Sequence, residues 1–250
     1  MPDVALGRGL VRLDEGRAFT WEPGPPLSVR HDGPVAALPV LGAAAAAVRA
    51  GTLAPDPARP VEHLVQTPYG EVRIEAHGAP GAPTLVLYET RAAATLRDRL
   101  MVQLVSMTVG IPAARIAAAN APVQVLDLGR PTLVVPVGSP DALAALKEGP
   151  TDRLAPGIEA VCAYVVTQRR PYVKMTTRVV PQALQTEPLV VAAAAVHALN
   201  TAVLRADYPI TRIVCSPPGA ESRIECRCHL VQGQGGPRWV RLRVGAEVAP

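Results

Sequence analysis

The sequence predicts an α+β protein in which one pattern is used twice: strands, a buried alanine-rich helix, then further strands. Two observations carry this prediction. Two alanine-rich segments, at residues 40–50 and 189–203, are each preceded by a proline. Around them lie short runs rich in Val, Ile and Thr, which are typical of strands. The chain has 250 residues, 49% of them apolar, so it is long enough for two domains that each bury a core.

The two alanine-rich segments have the signals of helices that are enclosed on all sides. Pro39 and Pro188 stand at their starts, where proline costs no helical hydrogen bond, and alanine has the highest helix propensity. Almost every side chain in both segments is apolar, so neither helix has a polar face to turn to water. Because alanine lets strands approach closely, we expect a sheet to curl around each helix.

Strands are predicted where apolar residues alternate with polar ones or form short runs between turn residues. They fall at residues 61–66, 71–76, 84–88, 123–128, 132–137, 160–167, 173–180, 211–215, 223–230 and 239–244. A more polar segment at 97–107 and a segment at 140–147 predict two further helices. We place the division between the halves after residue 104, giving domains 1–104 and 105–250, with central helices at 40–50 and 189–203.

The charge pattern does not favour a nucleic-acid or membrane partner. The net charge is only +4, and Arg241 and Arg243, which share one face of a predicted strand, are more typical of a solvated face than of a phosphate site. Aromatic residues make up 3% of the chain, which argues against a stacking platform for bases or sugars. No apolar run approaches 18 residues, so we expect no membrane span and a cytoplasmic protein.

The four cysteines, all in the second half, do not predict a metal site. Cys226 and Cys228 place two thiols on one face of a strand and His229 on the other, whereas a structural zinc site needs four ligands, usually spaced by two to four residues. Cys162 has the setting of a small buried apolar residue. No disulfide is required, which fits a reducing compartment.

In each half an acidic residue lies on the N-terminal side of the alanine-rich helix: Asp32 in the first and Glu187 in the second. A helix N-terminus presents unpaired N–H groups and partial positive charge, so two such ends facing a cleft would hold an anion or an enolate. Two carboxyl groups there could remove and return a proton. The alternatives are a favourable first-turn charge for Glu187 and a plain turn around Asp32.

Two short motifs strengthen the first interpretation. Residues 32–44 read DGPVAALPVLGAA, and they resemble the acid and the LPFAGHPTLGAA run of the phenazine-biosynthesis isomerase (PhzF-like) family. Residues 186–193, TEPLVVAA, resemble that family's EDPATGSA motif. The resemblance implies the diaminopimelate epimerase-like fold: two similar domains, each a curled, mostly antiparallel or mixed sheet around a central helix. It also implies cofactor-independent proton transfer, with Asp32 and Glu187 at the family's catalytic acid positions.

The sequence departs from both family motifs. Ala37 and Leu38 stand where the family has Gly-His, and Val191 and Ala192 stand where it has Gly-Ser; the family's Gly-Asn-Pro motif is not found. These four positions, with His31 beside the first acid, are the substrate-binding positions that the resemblance implies. Their side chains predict a relatively apolar, small-molecule ligand.

The function expected from these observations is an isomerase or epimerase in which the two acids act in an interdomain cleft, without cofactor or metal. Relatives of this kind often form dimers, so a homodimer is also expected. A diverged binding protein without chemistry and a cyclase acting on a hydrophobic substrate are the alternatives. His197, inside the second helix, is predicted to be a core histidine with one satisfied nitrogen rather than a catalytic group.

Overall fold

The computed structural model of the chain forms two compact units, residues 1–89 with 243–250 and residues 90–242. It describes residues 9–12, 18–22, 27–31, 40, 44, 47, 61–67, 70–79, 82–91, 94–128, 130–170, 172–185, 187–201, 210–216, 224–233 and 236–247. The predicted division after residue 104 differs from this one, because the segment at 94–100 is a strand that pairs within the second unit.

The described residues of the first unit form six strands that are hydrogen-bonded in chain order. They are β1 (Gly9–Arg12), β2 (Ala18–Glu22), β3 (Leu27–His31), β4 (Val61–Thr67), β5 (Gly70–Ala79) and β6 (Ala82–Arg91). The pairing of β3 with β4 is parallel and the other four are antiparallel. Between β3 and β4, the residues Val40, Ala44 and Ala47 are helical and fully buried, as expected for one face of an enclosed helix.

The described part of the second unit contains eight strands and three α-helices. The strands are β7 (Ala94–Leu100), β8 (Val123–Asp127), β9 (Pro131–Pro136), β10 (Ala160–Gln168), β11 (Val173–Val180), β12 (Ile210–Ser216), β13 (Ile224–Gly233) and β14 (Gly236–Glu247), of which residues 243–247 belong to the first unit. Their order is β14-β13-β12-β11-β10-β9-β8-β7, with parallel pairing at β9–β10 and β11–β12. The helices are α1 (Val102–Val109), α2 (Ala113–Ala117) and α3 (Pro188–Asn200).

Helix α3 is the central helix of the second unit. It contacts six strands, from β8 to β13, and every residue from Leu189 to Leu199 is buried. A helix without a polar face has to be enclosed in this way, and its run of alanines lets the strands pack close to its backbone. The α+β fold with a sheet curled around an alanine-rich helix is thereby confirmed.

A second apolar layer covers the outer face of strands β8 to β10. It brings together side chains from α1, α2, the short 3-10 helix Pro140–Ala145 and the outward faces of these strands. Because both faces of this part of the sheet are buried, β9 and β10 consist almost wholly of apolar residues rather than alternating ones.

The two units share one connectivity. In each, an antiparallel pair leads into the buried helix, and the next strand returns parallel to the strand that preceded the helix: β2–β3 to β4 in the first unit, β10–β11 to β12 in the second. A strand antiparallel to the returning one follows in both. A parallel return requires a long crossover, which the alanine-rich helix supplies.

Two predictions about local structure were wrong, and four elements were missed. The predicted helix at 97–107 is strand β7 followed, from Val102, by α1. The segment at 140–147 forms a 3-10 helix that ends at Ala145 rather than an α-helix. Helix α2 and strands β1 to β3 were not predicted at all. Among the described residues, no helix has the length and apolar character needed to cross a membrane.

Candidate functional site

The N-terminus of α3 lies where two parallel strands part. The described pairing of β11 with β12 runs from Val173 to Thr176, while β11 continues to Val180 along its other neighbour, β10. The chain then makes a short 3-10 turn, Gln182–Leu184, and enters α3. The carboxyl ends of parallel strands, where neighbouring strands diverge, are the usual place for ligand sites in sheets of this kind.

Glu187 places an acidic side chain at the start of this helix. It is the N-cap of α3, and its carbonyl oxygen accepts a 3.2 Å hydrogen bond from the Val191 N–H. Only 3% of Glu187 is exposed, and its carboxylate makes no capping hydrogen bond to the first turn. A surface charge that merely favours the helix dipole would be solvated or would cap the helix. The burial of Glu187 therefore favours a functional interpretation over that alternative.

Gln185, two residues earlier, ties this turn to the sheet. Its side-chain oxygen accepts a 2.8 Å hydrogen bond from the Val179 N–H, and its side-chain nitrogen donates one of 3.3 Å to the Thr177 carbonyl. Both backbone groups belong to the part of β11 that has run past β12. Gln185 was not predicted, because no motif or residue spacing in the sequence distinguishes it from a surface glutamine.

The substrate-binding positions predicted in the second half lie inside α3. Val191 and Ala192 are fully buried, and the Val191 N–H is already engaged by Glu187. The N–H groups of Leu189 and Val190 belong to the first helical turn, where an α-helix offers no acceptor of its own. The side chains of Leu189 and Val190 are apolar and buried.

In the first unit the first acid also follows a strand that pairs with a parallel neighbour. The described pairing of β3 with β4 covers Leu27 and Ser28, while β3 continues along β2 to His31. Asp32 is the next residue in the chain. Asp32, Ala37 and Leu38 lie outside the described residues, and only the backbone of His31 is described. The structure thus describes Glu187, Val191 and Ala192 of the predicted site.

A buried histidine network lies further along α3. Nδ1 of His197 is 2.8 Å from the Tyr164 hydroxyl, and Nε2 is 2.8 Å from the Pro122 carbonyl oxygen. Both ring nitrogens are therefore hydrogen-bonded, whereas the sequence predicted one hydrogen-bonded nitrogen. Burial lowers the pKa of His197 to about 4. Tyr164, which was missed, is the sole aromatic residue in β10, and a buried tyrosine needs a partner for its hydroxyl.

The described cysteines do not form a reactive centre. Cys162, Cys215 and Cys226 are buried and form no disulfide among the described residues. Burial raises the pKa of the Cys162 thiol far above its usual range, and the neighbouring Cys226 adds to this effect, so the nucleophilic thiolate is disfavoured. Within the described ranges, no three residues of the types His, Cys, Asp and Glu come together as a group that could hold a metal ion.

Solved structures of known proteins resemble this fold. A PhzF-family phenazine biosynthesis protein from Bacillus anthracis matches with a TM-score of 0.64 and 12% identity, over 97% of this chain and 82% of that one. The chain has a PhzF-like fold. A structure described as a predicted epimerase from Pseudomonas aeruginosa also matches this chain. Its TM-score is 0.61 at 16% identity, over 97% of this chain and 81% of that one.

A hydroxyproline epimerase from Agrobacterium vitis, solved with bound trans-4-hydroxy-L-proline, is a more distant match. Its TM-score is 0.55 at 12% identity, over 94% of this chain and 74% of that one. No protein-family model matches the sequence, and no curated protein matches it. At these identities the likeness establishes the fold, and the resemblance seen in the two sequence motifs is confirmed at that level.

Proposed function

We propose that this PhzF-like chain is an isomerase or epimerase that moves protons with carboxyl groups and without a cofactor. The single observation that carries the proposal is the placement of Glu187, a buried carboxylate at the N-terminus of the enclosed helix α3. It is supported by the fold, which the chain shares with proteins described as epimerases and as PhzF-family members.

In the proposed reaction Asp32 and Glu187 act on one substrate. One carboxylate removes a proton from a carbon next to a carbonyl or within a conjugated system, and the other carboxyl group, as the acid, supplies a proton at a second position. The N–H groups of Leu189 and Val190 are suited to the negative charge that develops on the carbonyl oxygen. No electron leaves the substrate, so the reaction is balanced without an oxidant.

The proposed substrate is a small metabolite that is less polar than those of typical family members. The first turn of α3 offers apolar side chains, and Val191 and Ala192 stand where the family motif has Gly-Ser. Recognition of polar groups on the substrate would therefore fall to backbone N–H groups. A panel of small 2-substituted carboxylic acids and conjugated dienoic acids samples this chemistry.

The test is formation of an isomerised product that carries solvent deuterium. Each compound is incubated with the protein in D₂O and followed by proton NMR and mass spectrometry. We expect turnover by the wild type and a loss on the order of 100-fold or more in Glu187→Gln and Asp32→Asn, since general acid–base catalysis contributes about that much. Glu148→Gln is the matched control, because Glu148 is exposed and should leave turnover unchanged. Undiminished turnover in Glu187→Gln would contradict the proposal.

A non-catalytic binding protein is the second candidate, and a specific observation favours it. The side-chain donors of the second family motif are absent, since Val191 and Ala192 are apolar. A binding protein would retain ligands from the panel without exchanging any hydrogen for deuterium. A cyclase would instead take up one solvent deuteron and release one proton to give a ring-closed product. Its mass equals that of a singly deuterated isomer, so the proton NMR spectrum, which shows the ring closure, separates these two outcomes.

The proposed setting is the cytoplasm, with a small molecule as ligand and a homodimer as the assembly. The described cysteines form no disulfide, which fits a reducing compartment. Light scattering of the purified chain measures the assembly state.

A further inference from the structure

We propose that Gln185 is a positioning residue that fixes the carboxyl group of Glu187, an inference that rests on the proposed function for the role of Glu187. The observation behind it is the parting of β11 and β12 after Thr176. Beyond that point the edge of β11 that faced β12 carries backbone groups that have lost their strand partner.

The side chain of Gln185 takes the place of that partner. In a strand, residues two apart present their backbone groups to the same edge, so the Thr177 carbonyl and the Val179 N–H face one neighbour. An amide can donate to the first and accept from the second at the same time, and Gln185 does both. An ionised carboxylate of the same reach could accept from the Val179 N–H but could not donate to the Thr177 carbonyl.

These two hydrogen bonds lie in a dry environment. Gln185 is 7% exposed, and Thr177 and Val179 are fully buried. Removing the amide would leave two buried backbone groups without partners, which costs free energy of folding. The two hydrogen bonds therefore strongly favour one position of the turn against β11.

Glu187 is placed by the same turn. The N–H of Gln185 donates to the Gln182 carbonyl, and the N–H of Glu187 donates to the Leu184 carbonyl, both at 3.0 Å. These backbone hydrogen bonds join Gln182 to Gln185 and Leu184 to Glu187 as one bonded unit, which the amide of Gln185 attaches to β11. A shift of this unit by about 1 Å would move the carboxyl group out of line with a reacting C–H, an error that can cost about 100-fold in rate.

The experiment compares Gln185→Met with Gln182→Met. Methionine matches glutamine in length but forms neither hydrogen bond, and Gln182 is an exposed residue of the same turn. Two signals are read by NMR: hydrogen exchange of the Val179 amide, and the carboxyl ¹³C resonance of Glu187, assigned by its loss in Glu187→Gln. Gln185→Met should speed Val179 exchange and shift or broaden the Glu187 resonance, while Gln182→Met should leave both as in the wild type.

Gln185→Glu keeps the proposal testable if the methionine variant does not fold. It retains an acceptor for the Val179 N–H but, when ionised, loses the donor to Thr177, so Val179 protection should persist while the Glu187 resonance still shifts. An unchanged Glu187 resonance in a folded Gln185 variant would overturn the positioning role, as would fast exchange of Val179 in the wild type.

Turnover gives a readout that a merely structural role would not produce. For any compound the wild type isomerises, a folded Gln185 variant should lose on the order of 100-fold in kcat with KM nearly unchanged. Equal changes in kcat for Gln185→Met and Gln182→Met would overturn the proposal. If the wild type turns over nothing, the proposed function fails, but the NMR result on Glu187 still decides the role of Gln185.

Discussion

The hydroxyl of Tyr164 donates a hydrogen bond of 2.8 Å to Nδ1 of His197, from strand β10 to the central helix. The other ring nitrogen lies 2.8 Å from the Pro122 carbonyl oxygen, which can only accept, so Nε2 carries the proton. The imidazole is therefore neutral and has both nitrogens satisfied. This pairing joins the strand, the helix and the segment before β8 in the interior of the second unit.

The first prediction concerns the acid stability of this network. Burial lowers the pKa of His197 to about 4, against smaller raising effects from the Pro122 carbonyl and the Asp98 charge. Since the unfolded chain, with a histidine pKa near 6.5, binds the proton more readily, the stabilisation is fully present above about pH 6.5 and is lost as the pH falls toward 4. Between about pH 7 and about pH 5 the free energy of unfolding should fall by about 2 kcal/mol from this group.

Urea denaturation at the two pH values measures this effect. His197→Gln removes the titrating group, so its stability should depend less on pH than that of the wild type by that same amount, whatever its absolute stability. An identical pH dependence in the two proteins would show that folding does not shift the pKa of His197, which would contradict its dry, neutral setting.

The second prediction uses two buried threonines in neighbouring parts of the sheet. Thr177 is 0% exposed, and its hydroxyl has no hydrogen-bond partner among the described residues. The hydroxyl of Thr132, equally buried, donates a 3.0 Å hydrogen bond to the Arg130 carbonyl. Thr177→Val should therefore stabilise the protein by about 1 kcal/mol, whereas Thr132→Val should destabilise it by about as much.

Thermal unfolding of the two variants checks these signs, since both replace a hydroxyl with a methyl group in a strand. Destabilisation by Thr177→Val comparable to that of Thr132→Val would mean that the Thr177 hydroxyl is bonded in solution.

The third prediction concerns a close backbone approach in the outer layer. A Cβ at Gly149 would overlap the carbonyl oxygen of Thr108, at the end of α1, so Gly149→Ala should cost about 3 kcal/mol through forced displacement of backbone. Gly157 has a φ of +76° but open space around its Cα, so Gly157→Ala should cost only about 1 kcal/mol of conformational strain. Chemical denaturation of both gives the ranking, and a smaller loss at Gly149 would contradict the packing.

Local signals predicted the central helix well and the edge of the sheet poorly. Proline at the start and a run of alanines define α3 from its own sequence, and its observed bounds, Pro188–Asn200, lie close to the predicted 189–203. Strand β7 looked helical because Arg97, Asp98 and Arg99 are charged, but it exists through pairing with β8, and Gln124 donates a 2.7 Å hydrogen bond to Asp98 from that strand. Charges and bulges of this kind are typical of edge strands.

The residues of the candidate site also differ in how well the sequence predicts them. Glu187 was found because a local motif carries it, whereas Gln185 acquires its partners only through the parting of β11 from β12, which depends on residues far apart in the chain. The sequence shows the duplication as two alanine runs. In the structure the duplication corresponds to the same connectivity around the parallel pairs β3–β4 and β11–β12. Asp32 lies outside the described residues, so its role rests on sequence.

The central claim is that Asp32 and Glu187 serve one reaction, and a double-mutant cycle tests it most directly. Product formation in D₂O is measured for the wild type, Asp32→Asn, Glu187→Gln and the double variant, using a compound that the wild type isomerises. Residues that act as a unit give strongly non-additive losses. We predict that the double variant is no slower than the slower single variant. A loss equal to the product of the two single losses would contradict the claim.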